Sequence, residues 1–321
     1  MNEFELIARL IPACPLNESV IAGAGDDCAV VDAGIPAQFL LLKTDAIVEG
    51  IHFAPDADPE KVGHKALARC LSDIAAMAGA PTHALVTLGL PRSFKVEFVE
   101  AVYRGLNRLA TRYQMAIVGG ETTTNPERLL ISVAVLGTVP KGKCVLRSGA
   151  RVGDAIFVTG TLGGSLAGKH LEFDPRLTEA RWLADNFGVH AMIDLSDGLA
   201  GDLRHLLKAS GLGAELRASA IPISPAARRR GRSSADGLES PSPAPPNGKP
   251  ALLAALTDGE DFELLFTVAS RDAVPLLDAW KKRFADLPLS CIGKTVAGTG
   301  ICLRAKDGVR PFPDHGYVHF S

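Results

Sequence analysis

Apolar runs in this chain repeatedly end in carboxylates, and that recurrence constrains the fold more than any other feature. Acids close such runs at Asp26 and Asp27, at Asp45 and Glu49, at Asp73, at Glu121, at Asp194 and Asp197, and at Glu260, Asp261 and Glu263. Several follow a strand directly, the position from which an open α/β sheet presents ligands. A single acid there is usually a cap or a turn residue. Repetition in glycine-containing segments points further, because converging carboxylates repel one another unless hard cations neutralise them. Magnesium suits such a set, since it takes oxygen ligands, keeps waters and is commonly completed by substrate phosphates. The competing reading is a scatter of caps and surface acids.

Local patterns fill in the elements between these acids. Residues 38–42 form a short apolar run that delivers Lys43-Thr44-Asp45 at its end. A helix is predicted over 59–78, with Asp58 as N-cap, Pro59 in the first turn and Gly79 and Pro81 as the stop. Its apolar stripe carries Ala66, Cys70 and Met77, and Asp73 falls on the same stripe, where a buried carboxylate needs a partner. A second helix over 95–114 spaces Phe98, Val102, Leu106, Leu109 and Tyr113 along one face and leads into a strand, 115–118, that ends in Gly119-Gly120-Glu121-Thr122-Thr123. Further strands are expected at 129–139, 155–158 and 262–268, with a glycine-rich segment at 160–168. Met192-Ile193-Asp194-Leu195-Ser196-Asp197-Gly198 opens a helix carrying Leu199, Leu203, Leu206 and Leu207, which Gly211 terminates. The alternation argues for an α/β (α+β) architecture in two lobes. We place an N-terminal domain at 1–140, a junction in 142–153 and a C-terminal domain at 150–321.

At 321 residues, two domains are the natural expectation. The 34 Lys+Arg against 36 Asp+Glu leave no basic footprint, so no nucleic-acid partner is expected. The longest uncharged stretch, 75–91, is short for a membrane span and is broken by Gly79, Pro81, Thr82 and His83. MNEFELIARL carries acids where a secretory signal needs positive charge, so a cytoplasmic location is expected. The six cysteines form no CxxC pair and read as reduced, mostly buried small hydrophobes. His315 and His319 lie among Pro311, Pro313 and Gly316, where a helix aligning them on zinc is not expected. The stretch 228–250 opens with four arginines and continues into Ser, Pro and Gly, which predicts a flexible surface insertion. Gly163 to His170 has His170 where a P-loop needs Ser or Thr, and Gly23-Ala24-Gly25 lacks the third glycine of a dinucleotide fingerprint.

Taken in order, seven motifs resemble the thiamine-monophosphate kinase family of the aminoimidazole-ribonucleotide synthetase-like ATP-binding superfamily. They are Gly25-Asp26-Asp27-Cys28-Ala29, Thr44-Asp45 with Glu49-Gly50-Ile51-His52-Phe53, Ser72-Asp73-Ile74-Ala75-Ala76-Met77, Gly119-Gly120-Glu121-Thr122-Thr123, Arg147-Ser148-Gly149-Ala150, Asp194-Leu195-Ser196-Asp197-Gly198-Leu199 and Gly259-Glu260-Asp261-Phe262-Glu263-Leu264. The terminal Gly316-Tyr317-Val318-His319-Phe320 fits as well, and the likeness spans nearly the whole chain outside 228–250. The resemblance implies a two-domain synthetase-like fold, a homodimer formed through the N-terminal domain, and ATP with several Mg2+ ions in a cleft. The implied reaction moves the γ-phosphoryl group of ATP directly to thiamine monophosphate, giving thiamine diphosphate.

It also implies roles. Asp27, Thr44, Asp45, Asp73, Glu121, Asp194 and Asp197 are implied metal ligands, with Asp45, Asp197 and Arg147 closest to the chemistry. Gly120, Glu121, Arg147 and Ser196 would meet ATP. His52 would face the substrate, Glu260 or Glu263 would accept hydrogen bonds from its aminopyrimidine, and Tyr317 would stack on a ring. Plainer readings stand beside these: His52 as an ordinary half-buried histidine, Tyr317 as a packing residue, Asp26 as a turn former. Two residues depart from the family pattern, Glu121 where Asp is common and Lys43 where a small or polar residue is frequent. The alternatives in function are a non-catalytic nucleotide or thiamine-phosphate sensor, or another ATP-using superfamily member. A selenophosphate synthetase would need a reactive Cys in an N-terminal glycine-rich segment beside a Lys, which Cys14 lacks, and a hydrogenase-maturation member would end in a reactive cysteine, where this chain ends in Phe320-Ser321.

Overall fold

The computed structural model describes residues 3–233 and 249–317. They form two compact units that are not collinear with the chain: one comprises Leu16–Cys144 and His170–Trp182, and the other the described residues of Met1–Pro15, Val145–Lys169 and Leu183–Ser321. α1 (Glu3–Leu10) opens the second of these.

The first unit is built on a six-stranded sheet of β1 (Val20–Ala22), β2 (Ala29–Val31), β3 (Gln38–Val48), β4 (Ala80–Leu90), β5 (Ala116–Thr124) and β6 (Leu130–Pro140), in the order β1-β2-β3-β6-β4-β5. Only β4 and β5 run parallel. β3 and β6 pair without a break from Gln38 opposite Pro140 to Val48 opposite Leu130. Alternate residues Ile131, Val133, Val135 and Val139 of β6 are buried, which is the period-two pattern of a sheet with one covered face.

Two helices lie wholly in this unit, α2 (Pro59–Ala76) and α3 (Val96–Arg112), and α2 packs against β3, β4 and β6. Asp58 caps α2 by accepting from Glu60 N at 2.9 Å, and Ala78 ends it with φ 56°. The helices cross closely because both crossing points are glycine: a Cβ on Gly63 would run into the Val102 carbonyl, and one on Gly105 into that of Glu60. Leu67, Leu71, Ile74 and Leu106 have no exposed surface, and each such side chain contributes about 1.5–3 kcal/mol by leaving water. Residues 170–182 are held to this unit by His64 Nε2 against Phe173 O at 2.8 Å and by Tyr113 Oη donating to Pro175 O at 3.2 Å.

A seven-stranded sheet forms the second unit: β7 (Ala155–Thr159), β8 (Val189–Asp194), β9 (Gly213–Arg217), β10 (Leu264–Val268), β11 (Leu289–Val296), β12 (Ile301–Ala305) and β13 (Gly308–Arg310), ordered β13-β12-β9-β11-β7-β10-β8. Its one parallel pair is β9 with β12. Its helices include α5 (Leu199–Ser210), which follows α4 (Leu177–Asn186), then α6 (Pro225–Ser233), α7 (Ala251–Thr257) and α8 (Ala273–Arg283). Leu203, Leu206 and Leu207 of α5 join Ile193, Leu265 and Ile292 in one core cluster, and Gly211 closes the helix with φ 68°. No helix among the described residues is long and apolar enough to cross a membrane.

Several expectations need correction. β3 and β5 do not stop where their apolar runs stop; both continue through Lys43-Thr44-Asp45 and Gly119-Gly120-Glu121, because pairing to a neighbouring strand extends past the apolar residues. β4 occupies the uncharged stretch 75–91, where no strand was expected. Residues 228–233 belong to α6 and not to a flexible loop, and Lys249 pairs with Asp258 at 2.8 Å; 234–248 and 318–321, with His319, lie outside the described residues. Of the cysteines, only Cys28 and Cys70 are fully buried, and Cys14 is exposed.

Candidate active site

In the first unit Asp45 and Asp73 meet at the helix-covered face of the sheet. Lys43 and Asp45 lie two residues apart on β3 and so share a face with buried Leu41 and Ile47. Asp73 reaches them from α2. Lys43 Nζ donates to Asp73 Oδ1 at 2.8 Å and stands 3.6 Å from Asp45 Oδ1. Burial alone would lower the Lys43 pKa, but Asp73 and then Asp45 overcome it and hold the ammonium well above its ordinary value. Asp27 is buried in the turn before β2, where Asp26 Oδ1 accepts from Asp27 N at 3.1 Å and shapes the turn. Burial pushes the Cys28 thiol up, reinforced by Asp73 and Asp27; burial raises Cys70 too, reinforced by Asp45 and Asp73. Both cysteines therefore stay neutral thiols, and the ligands on offer are carboxylate oxygens.

Thr44, between Lys43 and Asp45, is exposed on the opposite face of β3. That face is an open apolar groove of about 510 Å³ lined by Leu42, Leu85, Val118, Ala134 and Leu136. Gly120 and Glu121 are exposed on edge strand β5, and a Cβ on Gly120 would run into the Val86 carbonyl of β4. His52, just after β3, accepts from Val48 N through Nδ1 at 3.0 Å, which puts the proton of the neutral ring on Nε2. Its own carbonyl accepts from Lys65 Nζ at 2.6 Å, and this fully buried lysine also meets His170 Nδ1 at 2.7 Å.

In the second unit the loop after β8 holds the other acids. Asp194 is buried at the end of β8, opposite Leu264 of β10. Past that point the two segments stay joined: Leu195 N donates to Glu263 O at 2.8 Å, and Glu260 N to Ser196 O at 2.6 Å. Tyr317 N donates to Asp197 O at 2.9 Å, and Gly316 must be glycine because a Cβ there would strike that same carbonyl. Ser196, Asp197, Glu260 and Tyr317 are thus gathered from three distant stretches of sequence. Asp197 N donates to Asp202 Oδ2 at 3.1 Å, and Asp202 is buried on α5. Burial, followed by the charges of Asp197 and Asp194, pushes the Asp202 carboxyl well above the usual range, with Arg147 opposing.

The two candidate pyrimidine acids differ sharply. Glu263 is only 1% exposed; its Oε2 accepts from Thr159 Oγ1 at 2.8 Å and its Oε1 from Lys169 Nζ at 2.7 Å. Glu260 is half-buried. Asp261, buried between them, accepts from Gly163 N through both oxygens at 3.0 and 2.9 Å, and burial pushes it up to about 7. Sequence reasoning overlooked Lys65 and Asp202. Asp202 had a signal: like Asp73, it sits on the buried stripe of a helix, between Leu199 and Leu206.

Residues 25–139 match the N-terminal domain of AIR synthase related protein and residues 151–303 match its C-terminal domain. The thiamine-monophosphate kinase of Rhodopirellula baltica is 40% identical over 310 residues, covering 94% of this chain and 92% of its own length. That of Escherichia coli K12 is 36% identical, covering 100% and 98%. The solved structure of AaThiL complexed with AMPPCP and TMP superposes with a TM-score of 0.79 at 31% identity, covering 99% of this chain and 97% of the other. The chain belongs to the thiamine-monophosphate kinase family.

Proposed function

We propose that this chain transfers the γ-phosphoryl group of ATP to thiamine monophosphate, yielding thiamine diphosphate and ADP, by direct in-line transfer that depends on magnesium. The observation that carries this reading is the full-length likeness to thiamine-monophosphate kinases, one of which is complexed with AMPPCP and TMP. Retained carboxylates in both units support it. Their oxygens, beside cysteines held as neutral thiols, suit a hard divalent cation. Asp27, Asp45, Asp73 and Glu121 in the first unit and Asp194 and Asp197 in the second are the proposed ligands; Thr44, facing away, would contribute through its backbone. Bound magnesium would neutralise phosphate charge and polarise the transferring group.

The acceptor is already a phosphate oxyanion, so no strong general base is needed and the task is to hold two polyanions in line. Arg147 offers a planar fork to phosphate, and Gly120 and Ser196 present backbone and hydroxyl to ATP. His52, with its proton on Nε2, donates to a substrate oxygen. Glu260 is the better placed of the two acids for the aminopyrimidine, since the Glu263 carboxylate is enclosed, and Tyr317, 48% exposed, has a face to stack. The open groove, where Leu42, Leu85 and Val118 are each about half exposed, fits a homodimer that covers it. A cytoplasmic setting accords with this biosynthetic role.

The test is turnover: ATP, magnesium and thiamine monophosphate should give thiamine diphosphate and ADP in equal amounts. ADP release indifferent to thiamine monophosphate would overturn the reading. Labelled ATP alone should leave no label on the protein, since a stable phosphoprotein means a covalent route.

A further inference from the structure

The Lys43 ammonium lies where a cation is wanted. Its Nζ is 2.8 Å from Asp73 Oδ1 and 3.6 Å from Asp45 Oδ1, so one charge bridges a strand carboxylate and a helix carboxylate. The side chains are 21% exposed for Lys43 and Asp45 and 9% for Asp73, which leaves the pair weakly screened by solvent. Buried Asp27 adds a further negative charge close by, felt together with that of Asp73 at Cys28. Arg69 is a second cation nearby, acting at Cys70. A divalent ion and the ammonium cannot both take the same oxygen of Asp73 at bonding distance. They must compete for it.

We propose that Lys43 is a tethered counter-ion of the Asp45 and Asp73 carboxylates, holding this acidic set together without metal and yielding Asp73 when a divalent cation binds. This rests on the magnesium reading above. It assigns Lys43 a positioning role that sets metal affinity: the lysine stabilises the metal-free protein and weakens the first divalent ion by making it displace a covalently linked cation.

The experiment measures Mn2+ binding to the full chain, without nucleotide, by electron paramagnetic resonance, and the thermal midpoint with and without Mn2+. Lys43→Met keeps the length of the side chain and removes its charge; Lys43→Gln removes the charge but can still donate to Asp73. Both variants should bind Mn2+ roughly tenfold more tightly than the parent, since a like charge within a few ångströms is gone. Both should also melt lower without metal and regain the loss when Mn2+ saturates; a variant that folds only with Mn2+ is the same result in stronger form. Unchanged affinity, with a midpoint loss that Mn2+ does not restore, would make this an ordinary structural ion pair and overturn the proposal. If neither parent nor variants bind Mn2+, the metal reading itself fails, and the Lys43 role fails with it. Should Lys43→Met not fold under any condition, the Lys43→Gln affinity decides alone.

Discussion

The two units confront the same problem, several carboxylates in one place, and relieve it by different means. In the first unit a flexible lysine on β3 spans Asp45 and Asp73. In the second, Arg147 opposes the charges of Asp197 and Asp194 at Asp202, and Asp202, raised well above the usual carboxylate range, acts as the acceptor for the Asp197 backbone N–H. The first arrangement is a charge pair that another cation can displace. The second is a loop anchored through the backbone N–H groups of Leu195, Asp197 and Glu260. The contrast teaches that the first unit should respond to removal of charge and the second to removal of hydrogen-bond acceptors.

The largest expected effect breaks both halves at once. Asp73→Asn and Asp197→Asn should each fold and lose roughly 10² to 10³ in turnover, about 2.7–4 kcal/mol of transition-state stabilisation. They should part in metal-free stability: Asp73→Asn deprives Lys43 of its nearest carboxylate and costs stability, whereas Asp197→Asn relieves repulsion on Asp202 and does not. Turnover assays paired with denaturant unfolding separate the two, and equal stability changes would erase the contrast.

Next in size, Asp202→Ala should cost about 1–3 kcal/mol, because it leaves the Asp197 N–H without its acceptor. Asp202→Asn retains an acceptor oxygen and should cost less. If the two variants unfold alike in urea, the hydrogen bond is not what anchors the loop.

A smaller effect is expected at Glu121, exposed on the edge of the first sheet. Glu121→Gln should raise the magnesium concentration for half-maximal rate by roughly tenfold, about 1.4 kcal/mol, and Glu121→Asp by less. Gly119 and Gly120 give the backbone room to absorb one methylene, while magnesium's demand for near-octahedral geometry makes the change felt. Overlapping magnesium titrations would remove Glu121 from the ligand set.

The effect of Asp261 is read as a slope against pH. Its carboxyl titrates at about 7 in the folded chain, against 3.8 ordinarily. Between those values the folded protein holds a proton that the unfolded chain has released, so stability falls as pH rises through the window. The contribution is fully present below the unfolded value and gone above about 7. Asp261→Asn should flatten that slope in urea unfolding series across the window, and an unchanged slope would show that another group sets it.

Much of the helical framework was legible in the chain. Asp58 and Pro59 announce the start of α2, the spacing of Val102, Leu106 and Leu109 gives the buried face of α3, and Gly211 marks the end of α5. These signals are local, because a helix satisfies its hydrogen bonds within a few residues of itself. Strand ends were not legible. β5 continues through Glu121 because β4 supplies partners as far as Leu90, and that information lies some thirty residues away in sequence.

The same division holds for the chemistry. By itself the sequence singled out candidate acids, though not Asp202, because carboxylates at the ends of apolar runs and on the buried stripe of α2 are too costly to keep unpaired. It also marked the chain's family through ordered motifs, since residue types and spacing are one-dimensional properties. Only the tertiary structure decided which groups meet. It set Lys43 against Asp73 across 30 residues, tied Tyr317 to Asp197, turned Thr44 away from its neighbours and enclosed Glu263 with Thr159 and Lys169. Those outcomes follow from strand register and helix docking, where a shift of one residue moves a side chain to the other face of the sheet.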